Sequence, residues 1–308
     1  MNKKYAVIGG GSWGTALACL AARAAGSALI YTNEQNIADE INTHHTNNKF
    51  LHDTKLHDKV TASASLQDIL DYENLILAVP SHAIKQILLH LKQLNLAKTI
   101  SFLIATKGMC QNPVQLISSF IESEFENKYV FISGPNFAEE VARDRFAAIT
   151  ITSKNLAFAE KIGKELSSNT LAISTSDDII TVQIAGIVKN IIAIKSGILR
   201  AKGEGENAKA WLISQGLNEI AIIAKKLGGS VESLTLPAVI GDLVLTCNSI
   251  TSRNTKFGFE FHNSNYSKEF LANYPILVEG VQSARTLTEF LAKHNLDLPI
   301  ISSVMSLL

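Results

Sequence analysis

The first apolar run, Tyr5–Ile8, breaks into glycine and restarts as an alanine-rich helical pattern over residues 15–25. Strand, glycine turn and helix in so short a stretch leave few folds open. Gly9, Gly11 and Gly14 fall at G-x-G-x-x-G spacing between the predicted strand and the predicted helix, the context in which that spacing marks a dinucleotide-binding turn. The first glycine permits the turn, the second lets backbone approach a pyrophosphate, and the third lets helix and strand pack closely. The helix N-terminus offers amide donors and positive potential to phosphate oxygens. A glycine-rich turn with no ligand is the alternative.

Apolar runs then recur at residues 28–32 (ALIYT), 75–79 (LILAV), 99–105 (TISFLIA), 129–133 (YVFIS) and 147–152 (AAITIT), separated by helical patterns. Strands alternating with helices imply a parallel sheet with helices on both faces. The pattern changes near residue 176. Asp177 and Asp178 favour a helix start, and no breaker stronger than an isolated glycine follows until Gly203-Glu204-Gly205. As helix, residues 177–202 would span roughly 39 Å. The remainder is helical by period. The expected architecture is an α/β Rossmann-type parallel-sheet domain over residues 1–180, followed by an all-α domain over residues 181–308.

Lys plus Arg equals Asp plus Glu at 28 each, which argues against bulk electrostatic binding to nucleic acid or an anionic membrane. Cys19, Cys110 and Cys247 are far apart and odd in number, a pattern that fits a reducing compartment. The run after the N-terminal lysines is too short for a signal peptide. No stretch reads as the roughly 20 apolar residues of a membrane span. The expectation is a soluble cytoplasmic protein. His44, His45, His52 and His57 read as a solvated polar loop rather than a metal site.

Ligands of open parallel sheets bind beyond the carboxyl ends of the strands. Pro80-Ser81, Lys107 and the segment Gly134-Pro135-Asn136-Phe137-Ala138 all follow predicted strands. At the end of the second strand, an acidic residue would bind the adenosine ribose and favour NAD. The sequence there reads Thr32-Asn33-Glu34, which leaves NAD against NADP open.

Lys189 sits in the apolar run QIAGIVKNIIAIKSG. Ile180, Ile184, Ile187, Val188, Ile191, Ile194 and Ile198 form a helical core stripe. The lysine lies on a face of mostly small residues, Val182, Gly186, Ala193 and Ser196, which is expected to face a cleft. Its neighbours three and four positions away carry no counter-charge, so either it snorkels to solvent or it is used. Asn190 lies beside it. Further on, Asp242 and Thr246 share a helical face. Ser252-Arg253-Asn254 joins a hydroxyl, a guanidinium suited to phosphate and an amide.

These motifs, GxGxWGTALA, ATKG, GP-x-FAEEV, VKN, GDLVLT, SRN and VEG, stand in an order and spacing that resemble the soluble bacterial NAD(P)-dependent glycerol-3-phosphate dehydrogenases over nearly the whole chain. The resemblance implies that Ser12, Trp13, Asn33, Ala138, Leu277 and Glu279 touch the dinucleotide. Lys107 would lie between coenzyme and substrate. Gly134, Asn136, Asn190, Asp242, Thr246, Ser252, Arg253 and Asn254 would surround a phosphorylated small-molecule substrate, with Arg253 also reaching the coenzyme. Lys189 matches the proton-transfer lysine. The family also implies a homodimer and a role in glycerophospholipid synthesis. The chain departs from the family in three places. Asn136 stands where Ser or Thr is usual and Asn33 where Arg or His is common. Leu51-His52-Asp53 and Leu56-His57 replace Leu-Pro-Gly and Leu-Pro. Rival readings are a two-domain 3-hydroxyacid dehydrogenase or ketopantoate-type reductase, and a dinucleotide-sensing module without catalysis. The latter would not need Lys107, Lys189 and Asp242 together.

Overall fold

A computed structural model describes residues 3–292, 294–296 and 298–308. The chain forms two compact units, Met1–Thr106 with Phe120–Asp177, and Lys107–Ser119 with Asp178–Leu308.

The first unit is built on an eight-stranded sheet. In chain order its elements are β1 (Tyr5–Ile8), α1 (Ser12–Ala25), β2 (Ala28–Tyr31), α2 (Gln35–His44), β3 (Val60–Ser63), β4 (Asn74–Leu77), α3 (Ser81–Gln93) and β5 (Ser101–Ile104). After β6 (Met109–Cys110) and β7 (Gln115–Leu116), which belong to the second unit, come α4 (Ile117–Glu124), β8 (Tyr129–Ser133), α5 (Ala138–Ala142), β9 (Ala147–Thr152), α6 (Leu156–Leu166) and β10 (Leu171–Ser176). The strand order is β10-β9-β8-β5-β4-β1-β2-β3. Pairing is parallel throughout except between β8 and β9, which are antiparallel. The parallel sheet expected from sequence is present, with this one antiparallel pair. Between them lies only the short α5, which rises roughly 7.5 Å, less than the roughly 17 Å of a five-residue strand. It cannot return the chain to the start of β8, so β9 runs back. Arg23 holds α5 in place, donating to the carbonyls of Val141 (2.6 Å) and Ala142 (3.2 Å).

β3 and β10, which the apolar runs did not announce, are the two edges of the sheet. Their sequences, VTAS and LAISTS, are half polar because an edge strand meets solvent on one side. The inner strands β1, β4 and β5 are buried at every position, as continuous apolar runs require.

The second unit is helical: α7 (Ile179–Ala201), α8 (Glu206–Lys226), α9 (Asp242–Asn248), α10 (Arg253–Asn263), α11 (Lys268–Ala272), α12 (Glu279–Ala292) and α13 (Pro299–Met305). Asp178 starts α7 by accepting the Thr181 N–H on Oδ1 (2.9 Å) and ties it to Ser230 through Oδ2 (2.9 Å). Of the stripe read from sequence, Ile184, Ile187, Val188, Ile191, Ile194 and Ile198 are fully buried, while Ile180 packs at the margin. By length and composition α7 would pass for a membrane span, contrary to the sequence expectation that no stretch does. Of that apolar window 89% is buried inside the protein, so its apolarity is accounted for by the core.

Lys107–Ser119 groups with these helices although it precedes residue 180. Its hairpin, β6 with β7, contributes Met109, Val114 and Leu116 to the helical core. Gln183 of α7 fastens it. Its side chain accepts the Ser118 N–H (3.2 Å) and donates to the Ser118 hydroxyl (2.8 Å). At the other end of the unit, buried Glu219 receives the N–H groups of Ile300 (2.6 Å) and Ile301 (2.9 Å), closing the first turn of α13.

Candidate active site

In the first unit the glycine turn has the geometry that its sequence demands. Gly9 adopts φ +124°, and a Cβ there would lie 2.6 Å from the Ala78 carbonyl oxygen. A Cβ on Gly14 would lie 1.9 Å from the Gly9 carbonyl oxygen, so this residue sets the approach of α1 to the turn. Gly11 is different, because a Cβ there would meet nothing within 4 Å. It is also the N-cap of α1 and has no side chain to occupy the first-turn amides, which begin at Ser12. Trp13 packs against the sheet core while its indole Nε1 is buried without a partner among the described residues. An open face at Gly11, uncapped amides and an unsatisfied indole N–H are the features that a bound dinucleotide would use.

Asn47 was not singled out by sequence, yet it shapes this turn. Fully buried, it donates through Nδ2 to the Gly10 carbonyl (2.9 Å) and the Thr15 hydroxyl (2.8 Å). One asparagine in THHTNNKF gives no local sign of that role.

Asn33 is exposed just after β2. Gly134 and Asn136 follow β8, and both answer to Ala148 of β9. A Cβ on Gly134 would lie 2.1 Å from its carbonyl oxygen, and Asn136 donates Nδ2 to the same oxygen at 3.0 Å. Asn136 Oδ1 is buried without a partner among the described residues. Ala138 opens α5 and packs on the first core.

The second unit gathers the charged residues. Lys189, 7% exposed, donates from Nζ to Asp242 Oδ1 at 2.6 Å and to the Thr246 hydroxyl at 2.9 Å. Lys107 donates to the other carboxylate oxygen, Asp242 Oδ2, at 2.5 Å. Asp242 is 2% exposed and is the first residue of α9. Thr246 is one turn on and donates to the Asp242 carbonyl at 2.6 Å, leaving its oxygen to accept from Lys189.

Electrostatics follow from this count of two cations against one anion. Burial pushes the Lys189 ammonium down and Lys107 adds to that, while Asp242 opposes it; the amine settles at about 8. Burial works against the Asp242 carboxylate, but the two ammoniums outweigh it and hold the carboxyl below its usual range. Lys189 is therefore a buried amine that can gain or lose a proton near neutral pH.

The small-residue face of α7 is not an open wall, and that expectation is corrected. The Lys107 stem lies over Gly186, with Cγ 3.5 Å from where a Cβ would stand. Ser196 is buried and donates to the Cys247 carbonyl of α9 at 2.7 Å. The small residues admit Lys107 and α9, which is how two distant groups reach Lys189.

Asn190, Asn254 and Gly280 form a second chain of contacts. Asn254 donates to Asn190 Oδ1 (2.9 Å) and accepts the Gly280 N–H (2.9 Å), and Asn190 donates to the Gly186 carbonyl (3.2 Å). Ser252 is the N-cap of α10 and accepts the Thr255 N–H at 3.3 Å. Arg253, the first residue of α10, is exposed. Leu277 is exposed, and Glu279 opens α12. Among the described residues the loop histidines gather no metal site. His57 Nδ1 accepts the Lys59 N–H, and His52 pairs with Asp53 at the surface.

A glycine turn left open at Gly11 and a buried lysine amine beside a carboxylate are features that a dinucleotide-dependent dehydrogenase with a helical second unit would use. Comparison with known proteins narrows this. The profile for the NAD-dependent glycerol-3-phosphate dehydrogenase N-terminus matches residues 4–159, and that for the C-terminus matches residues 178–308. The glycerol-3-phosphate dehydrogenase [NAD(P)+] of Rickettsia bellii (strain OSU 85-389) is 44% identical over 306 residues, covering 98% of this chain and 97% of that protein. The crystal structure of glycerol-3-phosphate dehydrogenase from Coxiella burnetii superposes with a TM-score of 0.91 at 30% identity, covering 98% of this chain and 93% of that one. The chain belongs to the NAD-dependent glycerol-3-phosphate dehydrogenase family, a family of oxidoreductases. A ketopantoate reductase from Ralstonia eutropha JMP134 shares the fold alone, with a TM-score of 0.61 at 16% identity, covering 99% of this chain and 96% of that one.

Proposed function

We propose that this protein interconverts dihydroxyacetone phosphate and sn-glycerol 3-phosphate with an NAD(P) coenzyme. The observation that carries the reading is Lys189, buried 2.6 Å from Asp242 with its amine pushed down to about 8. Reducing a ketone requires a hydride on the carbonyl carbon and a proton on its oxygen. NAD(P) supplies or accepts the hydride when bound; the chain's side chains supply the rest.

Protonated Lys189 donates from Nζ to the carbonyl oxygen as negative charge develops there. In the reverse direction the neutral amine removes the hydroxyl proton. An unburied lysine, at about 10.4, would make a poor base at neutral pH. Asp242 and Thr246 fix the position of Nζ, so orientation precedes the chemistry. Arg253 is the phosphate anchor, with Ser252 and Asn254 beside it on the chain. Lys107, Gly134, Asn136 and Asn190 are assigned to substrate by family resemblance. On the same basis, Gly9, Gly11, Ser12, Trp13, Gly14, Asn33 and Ala138 hold the coenzyme, together with Lys107, Arg253, Leu277 and Glu279. In this reading residues 1–180, less Lys107–Ser119, supply most of the coenzyme contacts together with Gly134 and Asn136 for substrate, and the remainder supplies proton transfer and the other assigned contacts. The protein acts in the cytoplasm as a homodimer and feeds glycerophospholipid synthesis; its three cysteines are buried and outside any disulfide, which suits a reducing compartment.

The test is reduction of dihydroxyacetone phosphate followed by coenzyme absorbance, with NADH and NADPH in parallel. Turnover of a 3-hydroxy acid or ketopantoate in its place would overturn the reading.

A further inference from the structure

In dinucleotide folds the residue at the end of the second strand meets the adenosine ribose. An acid there accepts from the 2′-hydroxyl of NAD and repels the 2′-phosphate of NADP. Glu34 stands near that position, two residues after Thr32, and its N–H donates to the Thr32 hydroxyl oxygen at 3.3 Å. As N-cap of α2 it makes no side-chain cap. Its carboxylate turns instead to Lys49, whose Nζ lies 2.8 Å from Oε1 and 2.5 Å from Oε2. Asn47, two residues before Lys49, is bonded to Gly10 and Thr15, which ties this loop to the glycine turn. A free Glu34 would reject a 2′-phosphate. A Glu34 already neutralised by a lysine does not, and that lysine is a cation such a phosphate could take.

Resting on the reading of this turn as a coenzyme site, we propose that the Glu34–Lys49 pair sets coenzyme choice. Lys49 is the counter-charge for the 2′-phosphate of NADPH, and Glu34 is its partner when NADH is bound. The site thereby takes both coenzymes. Both side chains are partly exposed, at 51% for Lys49 and 34% for Glu34, so exchanging one partner for another costs the fold little.

The test is calorimetric titration of the full chain with adenosine 2′,5′-bisphosphate and adenosine 5′-monophosphate. Lys49→Met is expected to weaken the bisphosphate roughly tenfold or more, with the monophosphate unchanged within about twofold. Glu34→Gln, which frees the lysine, is expected to tighten the bisphosphate by about threefold or more and leave the monophosphate unchanged. The NADPH-to-NADH ratio of kcat/KM should move with each. Equal effects on both nucleotides, no effect on either, or a wild type that does not bind the bisphosphate would each overturn the proposal. These titrations need no substrate. A wild type that binds them as expected yet leaves dihydroxyacetone phosphate untouched would count against the proposed reaction alone.

Discussion

Lys189 and Asp242 are 53 positions apart in the chain and 2.6 Å apart in the fold. The carboxylate is shared, since Lys107 takes its other oxygen. One anion between two ammoniums leaves Lys189 under-compensated, so burial and Lys107 prevail over Asp242 and the amine falls to about 8.

Lys189→Ala is expected to lower kcat by roughly a thousandfold, the scale of losing a positioned acid–base group. Coenzyme affinity, read from quenching of tryptophan fluorescence, should stay within about threefold because the glycine turn lies in the other unit. Near-normal turnover would remove Lys189 from proton transfer.

The pH profile should divide by direction around the Lys189 value of about 8. Ketone reduction needs the ammonium, so its kcat/KM falls as pH rises through that value. Alcohol oxidation needs the free amine, so its kcat/KM rises through the same range. Two parallel profiles would contradict the assignment.

Asp242→Asn deletes the one carboxylate that bonds Lys189 among the described residues. The Lys189 amine should fall further, moving the reduction limb to lower pH. Stability at pH 7 should drop by roughly 3 kcal/mol, the cost of leaving a buried ammonium unpaired. Since Lys189 already has a depressed value in the wild type, the folded state prefers it neutral. The unfolded chain binds more protons between about 8 and the ordinary 10.5, and the linked stability rises with pH there. The penalty of the substitution should accordingly shrink by pH 9.5. Urea melts at the two pH values decide it.

Arg253→Ala is expected to raise KM for dihydroxyacetone phosphate by roughly a hundredfold, as for a lost charge-assisted contact. KM for unphosphorylated dihydroxyacetone should change little. Equal shifts on both substrates would take Arg253 out of phosphate binding.

The glycine turn could be read from sequence because strand, turn and helix are contiguous there. Buried strands such as LILAV show themselves as unbroken apolar runs. The edge strands β3 and β10 do not, since an edge needs only one apolar face. The reversal at β9 depends on how short α5 is, which no residue type announces. At the site, Lys189 stands out in the sequence as a charge in an apolar run, and Asp242 as a residue sharing a helical face with Thr246. Their pairing does not stand out, because it spans 53 positions and depends on α9 crossing α7. Asn47 and the grouping of Lys107–Ser119 with the helices are long-range in the same way. The Glu34–Lys49 pair looks like surface charge until Asn47 is seen fixing the loop.

The Gln183–Ser118 pairing has a practical consequence for anyone dividing this protein. A fragment begun at residue 178, where the C-terminal family match starts, would be an incomplete article of manufacture. It would lack Met109, Val114 and Leu116 from its core, leave Gln183 without Ser118, and leave half of the Asp242 carboxylate unanswered. Such a fragment should come out insoluble or collapsed without fixed packing. A chain permuted so that residues 107–119 run directly into residue 178 should fold, because the helical unit is stitched from two threads of the sequence.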